Sequence, residues 1–139
     1  MVETTFLQLR NFSWLPANTH SLLHGDSTLK NSLVKTDGTL AVVDWDNALA
    51  GDPMYDLAYF EFVHSGTVGE REYRRALRNA YGLEAGPGGS NDEKRIEYYK
   101  KLLALSAVNW YLRHGDYDKF QVALEKLKEP SRLDRWMKE

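Results

Sequence analysis

The feature that most constrains the fold is Asp37-Gly38, placed inside Thr36–Thr39 between two short β-like runs, Ser32–Lys35 and Leu40–Asp44. Asp-Gly between apolar runs predicts a hairpin, because glycine takes the φ > 0 position that a tight turn needs. Everything after this hairpin carries helical signals instead. Asp52 is a natural N-cap and Pro53 a natural first helical residue, followed by Tyr55, Leu57, Ala58, Tyr59, Phe60, Phe62 and Val63. Thr67–Glu70 fits a capping box, and the helix it opens runs to about Tyr81, with Gly82 as its stop. Ser90–Glu93 fits a second capping box before the longest helix, to about Arg113, with Ile96, Tyr99, Leu103, Ala107 and Trp110 at helical spacing. Gly115 stops that helix, and Asp116 caps the next, through about Lys128. Weak helicity over Val2–Asn11, a loop over Glu84–Gly89 and a short terminal helix with Leu133 and Trp136 complete the expectation. The fold class is therefore mainly α (α+β), one β-hairpin followed by four or five helices.

Length and composition narrow the class. The 139 residues suit one domain, 1–139. A content of 42% hydrophobic and 27% charged residues is that of a globular chain. Cysteine is absent, which removes disulfides, thiolate nucleophiles and Cys-ligated zinc. No apolar run approaches the ~18 residues of a membrane span, and Met1–Arg10 lacks a basic n-region before an apolar core, so a cytoplasmic location and no membrane partner are expected. Charge is uneven. Residues 1–66 hold three basic and eight acidic side chains, a net −5, whereas 67–139 hold fifteen basic and twelve acidic, a net +3. An acidic half with few lysines is a poor nucleic-acid surface and suits divalent cations or cationic substrates. An ordinary solvated surface would give the same count.

The residues that carry chemistry lie at the hairpin. His24-Gly25-Asp26-Ser27-Thr28-Leu29-Lys30-Asn31 precedes it, and Asp44-Trp45-Asp46 follows it. Magnesium-assisted phosphoryl transfer needs a carboxylate to orient or accept the proton of an attacking hydroxyl, and hard oxygen ligands to hold Mg²⁺ against nucleotide phosphates. An Asp and an Asn five residues apart on one tight loop, with a second Asp carried back by a hairpin, supply those groups. Asp26, Asn31 and Asp44 form a three-point candidate site.

His-Gly-Asp followed by four residues and Asn resembles the catalytic loop of the kinase-like fold, where protein kinases have His-Arg-Asp. With Val42-Val43-Asp44-Trp45 and Gly51-Asp52-Pro53-Met54-Tyr55-Asp56-Leu57-Ala58, the chain resembles the aminoglycoside phosphotransferase family, which also holds hygromycin, choline and fructosamine kinases. The match is specific over Leu22–Phe62. The resemblance implies the helical carboxy-terminal lobe of that fold, with the hairpin carrying the catalytic and metal loops. It implies Asp26 as catalytic base and Asn31 and Asp44 as Mg²⁺ ligands, Asp44 standing where protein kinases have the Asp of Asp-Phe-Gly. His24 would brace the loop, and Asp52 would cap a helix and support the loop. Ser27 and Lys30 depart from the family's usual Leu or Phe and Pro or Gly. Lys30 would neutralise a transferring phosphoryl group beside the nucleotide, or is simply solvated.

The same resemblance implies Mg²⁺ and ATP as cofactors and a hydroxyl of a small molecule as acceptor, an aminoglycoside, amino alcohol or sugar. A cationic acceptor would be met by Asp46 and Glu61. Kinases of this type also use an amino-terminal β-sheet lobe for the nucleotide, and only 23 residues precede His24. The expected partners are therefore the acceptor together with a missing amino-terminal lobe or a second copy of the chain, with weak or no nucleotide binding in their absence. The alternative is a non-catalytic stand-alone lobe acting as a binding or dimerisation module. Weaker motifs are a zinc site from His20, His24 and Asp26, which Gly25 disfavours, and Gly86–Gly89, an interhelical linker rather than a phosphate loop. Tyr98-Tyr99 and Trp110-Tyr111 read mainly as core, and His64 and His114 as surface or helix-end residues.

Overall fold

The computed structural model describes residues 21–83 and 91–129, which fall in two compact units. The expected Val2–Asn11 and carboxy-terminal helices, the Glu84–Gly89 loop and the Ser90 cap lie outside the described residues. The described chain is mostly helical with short antiparallel strands, as the sequence predicts.

The first unit begins with β1 (Ser21–Leu23), a single 3-10 turn at Leu29–Asn31, β2 (Ser32–Val34), β3 (Leu40–Val42) and β4 (Leu49–Gly51). β2 and β3 form the predicted hairpin, pairing Ser32 with Val42 and Val34 with Leu40. Its turn closes through Gly38 N–H to Lys35 O at 2.9 Å and Lys35 N–H to Thr39 O at 2.8 Å, with Gly38 at φ +82°. The Asp37 carboxylate accepts from the Thr39 backbone N–H and hydroxyl, which holds it below the usual carboxylate range. A second ladder pairs β1 with β4 antiparallel, Leu23 opposite Leu49. The sequence predicts one hairpin; the outer pair is a second pairing that it does not signal, because three-residue strands are too short to show a period of two.

Two helices follow, α1 (Met54–Val63) and α2 (Glu70–Ala80). Asp52 Oδ1 accepts the Met54 N–H at 3.1 Å, so α1 starts where the Asp-Pro pair places it. Met54, Leu57, Ala58 and Glu61 form its buried face, a helical stripe whose last position is charged. The expected capping box at Thr67 does not form. The Thr67 hydroxyl donates to His64 O, and Glu70 reaches back to the Gly66 N–H, because Gly69 at φ +81° precedes the first helical turn. Gly82 ends α2 at φ +70°, with Leu83 N–H on Arg78 O at 2.8 Å.

The second unit is a helical hairpin of α3 (Asn91–His114) and α4 (Tyr117–Lys128). Gly115 turns at φ +71°, and Asp116 Oδ1 caps α4 through the Lys119 N–H at 3.2 Å. Ile96, Leu103, Ala104 and Val108 of α3 are buried, as are Ala123 and Leu127 of α4. Trp110 departs from the expected stripe: it is 60% exposed and stacks on His114. The buried residues Lys101, Ala104 and Val108, spaced three and four apart, lie to one side of the expected stripe, so the packed face is offset from it and Trp110 falls outside that face. Lys101, buried on this face, donates to Leu127 O at 2.8 Å and Glu129 O at 2.6 Å, closing the carboxy-terminal end of α4. Among the described residues no helix is long and apolar enough to cross a membrane.

Candidate active site

The outer β1–β4 ladder places the residues after Leu23 against those before Leu49. Gly25 adopts φ +77°, and a Cβ built on it would overlap the Asn47 carbonyl oxygen and come within 3.0 Å of Leu49 Cδ2. Glycine is therefore the residue that lets the loop pass so close to the opposing backbone.

Helix α1 anchors this loop from the other side. The Asp56 carboxylate accepts the His24 N–H at 2.7 Å through Oδ2 and the Gly25 N–H at 3.0 Å through Oδ1. The Ser27 hydroxyl donates to the Asp56 carbonyl at 2.7 Å. Asp52, one turn earlier, caps α1, while the loop amides rest on Asp56. The charge of Asp56 adds to burial, the larger cause, in raising the Tyr55 and Tyr81 hydroxyls above the usual tyrosine range.

His24 is 4% exposed. Its Nδ1 accepts the Asp26 backbone N–H at 3.2 Å, so the ring proton sits on Nε2, which donates to Val43 O at 2.8 Å. Both ring nitrogens are thus engaged, which leaves neither for the zinc reading at His24, and His20, its other histidine, lies outside the described residues. Trp45 covers the ring, centroids 4.7 Å apart.

Asp26 and Asn31 meet directly. Asn31 Nδ2 donates to Asp26 O at 2.9 Å and to Asp26 Oδ2 at 3.1 Å. With both amide hydrogens turned to Asp26, the buried Asn31 presents its Oδ1 as a hard oxygen acceptor. The other oxygen of Asp26, Oδ1, accepts from the Tyr59 hydroxyl at 2.7 Å. By sequence Tyr59 belongs to the apolar run of α1 and carries no site motif. Its one signal is the spacing of three from Asp56, which puts both on one helix face.

Asp44 arrives through its neighbour. Val43 N–H donates to Asn31 O at 2.9 Å while Val43 O accepts from His24, so the residue before Asp44 is clamped on both polar groups. Asp44 itself has φ +64°, the one non-glycine at positive φ among the described residues. That conformation costs an L-residue about 1–2 kcal/mol and aspartate tolerates it better than most. It is the kind of local strain that accompanies a functional bend.

The remaining predicted residues divide. Lys30 is exposed in the 3-10 turn, and Asp46 is exposed in a turn closed by Ala48 N–H on Trp45 O at 2.9 Å. Glu61 differs from its expected place at an acceptor. Its residue is 2% exposed, Arg78 donates to both carboxylate oxygens at 2.6 and 3.1 Å, and Arg74 lies 3.7 Å away. An interhelical ion pair occupies this carboxylate, because its place on the buried stripe of α1 faces α2 rather than solvent.

A family model described as the phosphotransferase enzyme family matches residues 6–99. Among solved structures, a thermostable mutant of the aminoglycoside phosphotransferase APH(4)-Ia, in ternary complex with AMP-PNP and hygromycin B, superposes with a TM-score of 0.70 and 24% identity. That alignment covers 91% of this chain and 41% of the other. A choline/ethanolamine kinase family protein from Mesorhizobium loti gives a TM-score of 0.62 and 21% identity over 99% of this chain and 46% of its own. The chain thus spans less than half the length of either structure, and at these identities the likeness is one of fold. No curated protein matches the chain by sequence.

Proposed function

The chain belongs to the phosphotransferase enzyme family, and from that premise we propose that it carries the catalytic loop of an ATP- and Mg²⁺-dependent transfer of phosphate to a hydroxyl of a small molecule. The observation that carries this reading is the arrangement at Asp26. One carboxylate, with a donor on each oxygen, stands on a loop whose amides are held by Asp56. Such a group is suited to take the proton of an attacking hydroxyl, a contribution of about 10²–10⁴-fold in rate.

The donor set suits Mg²⁺. Asn31 Oδ1 and the Asp44 carboxylate would hold it, both hard oxygens, and Mg²⁺ is commonly bound by one or two carboxylates plus substrate phosphates rather than by an all-protein cage. Bound there, the ion would neutralise charge on the nucleotide phosphates. The protein's own part is positional. Asp56 and His24 fix the loop, Val43 fixes the approach of Asp44, and Asp52 fixes the start of α1. Lys30 would offer its ammonium to the transferring group, and Asp46 would meet a cationic acceptor.

Hygromycin B in one structural neighbour and the choline/ethanolamine kinase family of another suggest which acceptors to try. Supplied with an amino-terminal nucleotide lobe, ATP, Mg²⁺ and hygromycin B or choline, the chain is expected to transfer phosphate to the acceptor. Asp26→Asn is expected to lower the rate by at least about 10²-fold, and Asp44→Ala to abolish Mg²⁺ dependence along with activity. Transfer that survives both substitutions would overturn the reading.

A second reading, a non-catalytic module that pairs with its own copy, draws on the exposed apolar strand residues Leu22, Val34 and Leu40, 63–75% accessible. Sedimentation as a dimer without phosphate transfer would favour it.

A further inference from the structure

Four polar groups of Asp26 are held, and three of the restraints come from the loop itself. Its N–H goes to His24 Nδ1, its carbonyl to Asn31 Nδ2, and its carboxylate Oδ2 to the same Asn31 amide. The fourth comes from outside the loop: Tyr59, 33 residues away on α1, donates to Oδ1 at 2.7 Å.

These restraints do different things. Bonds to the N–H and C=O set where the Asp26 backbone lies. They leave the terminal torsion of the side chain, which is broad and roughly two-fold in carboxylates, able to swing. One donor on Oδ2 restricts that swing only partly, since the group can pivot about the bonded oxygen. A second donor on the other oxygen, from a different element, removes the pivot. Tyr59 suits the task because its hydroxyl sits at the end of a rigid ring with two torsions, on a helix whose Asp56 already grips the loop.

We propose that Tyr59 is the positioning residue for Asp26, and that its hydroxyl sets the direction in which the carboxylate faces an incoming acceptor. The inference rests on the reading of Asp26 as the proton-accepting group. A carboxylate has about four lone-pair sites. Asn31 and Tyr59 each take one, on different oxygens, so the acceptor hydroxyl meets the remaining ones in a fixed orientation. The alternative role for Tyr59 is packing alone. It lies in a half-buried stretch with its ring 6.3 Å from that of Tyr55, and phenylalanine would serve packing equally well.

Tyr59→Phe separates the two roles, because it removes one oxygen and keeps the ring. Two measurements are needed: crystal structures of the wild-type chain and the variant, and steady-state transfer from ATP–Mg²⁺ to hygromycin B or choline by both, each supplied with an amino-terminal nucleotide lobe. The expected result is an Asp26 carboxylate that rotates or splits into two orientations in the variant, with kcat reduced about 10–100-fold and the acceptor KM unchanged, since misorientation acts on the reacting geometry. An unchanged carboxylate orientation in Tyr59→Phe overturns the proposal. So does an active wild type whose kcat the substitution leaves intact. A wild type that transfers phosphate to neither acceptor counts against the phosphotransferase reading instead, and the carboxylate orientation alone then decides the role of Tyr59.

Discussion

Gly25 and Asn47 lie back to back: the Cα of Gly25 faces the Asn47 carbonyl so closely that a side chain there has no space, and its φ of +77° disfavours one in any case. The glycine between His24 and Asp26 is thus required by the strand pairing beneath it as well as by the loop it belongs to.

Gly25→Ala is therefore expected to destabilise the first unit by about 3 kcal/mol or more, adding left-handed strain to a backbone collision. Urea unfolding would measure it. An alanine variant within about 1 kcal/mol of wild type would show that the two backbones can separate without loss.

Asp56→Asn keeps the shape of the side chain but not its acceptors. The carboxylate receives two backbone N–H groups, and an amide turned toward them must face one with its own NH₂. Hydrogen bonds to a charged group contribute about 1.5–3 kcal/mol each, so the expected loss is about 2–4 kcal/mol. Amide hydrogen exchange at His24 and Gly25 should rise in parallel.

Arg78→Ala strips the bidentate partner from the buried Glu61, leaving Arg74 at 3.7 Å as a distant substitute. Removing one member of a buried pair typically costs about 3–5 kcal/mol, and the residual Arg74 contact places the expectation at the lower end. Glu61→Gln is expected to lower thermal stability while leaving the KM of a cationic acceptor unchanged. A raised KM at unchanged stability would return Glu61 to the acceptor site.

His64 links the end of α1 to the turn that carries Lys30 and Asn31, because its Nε2 accepts the Leu29 N–H at 3.3 Å. Burial pushes its pKa below the ordinary 6.5. The unfolded chain then takes up this proton at a higher pH than the folded one, so stability rises with pH between the two values. The contribution of His64 is complete above about pH 6.5 and declines as the pH falls from there to the lower folded value. His64→Gln, which keeps an acceptor but does not titrate, should show a smaller loss of melting temperature between pH 7.5 and 5.5 than wild type.

Much of this molecule was legible locally. Asp37-Gly38 marked the hairpin, Asp52-Pro53 the start of α1, and Gly82, Gly115 and Asp116 the helix ends, because each signal acts over three or four residues. Asp26, Asn31 and Asp44 stand out by type and spacing; in the fold Asn31 bonds Asp26 directly, and the hairpin returns Val43, the residue before Asp44, to the Asn31 carbonyl. The capping box at Thr67 shows the limit even of local patterns, since the left-handed Gly69 redirected the groups that would have formed it.

Longer-range matters belonged to the tertiary structure. The hold of Asp56 on the loop spans 31 and 32 residues, the Tyr59 bond to Asp26 spans 33, and the Arg78–Glu61 pair spans 17. Nothing in the local sequence distinguishes a tyrosine that aims a carboxylate from one that fills a core, or a glutamate that meets a ligand from one that meets an arginine. The chain's own pattern therefore determined which residues could do chemistry and which segments would be helix or hairpin. Only folding decided how Asp26 is aimed and that Glu61 is spent inside, because hydrogen-bond partners are selected by proximity in space, and the helix face that supplies them is set by packing.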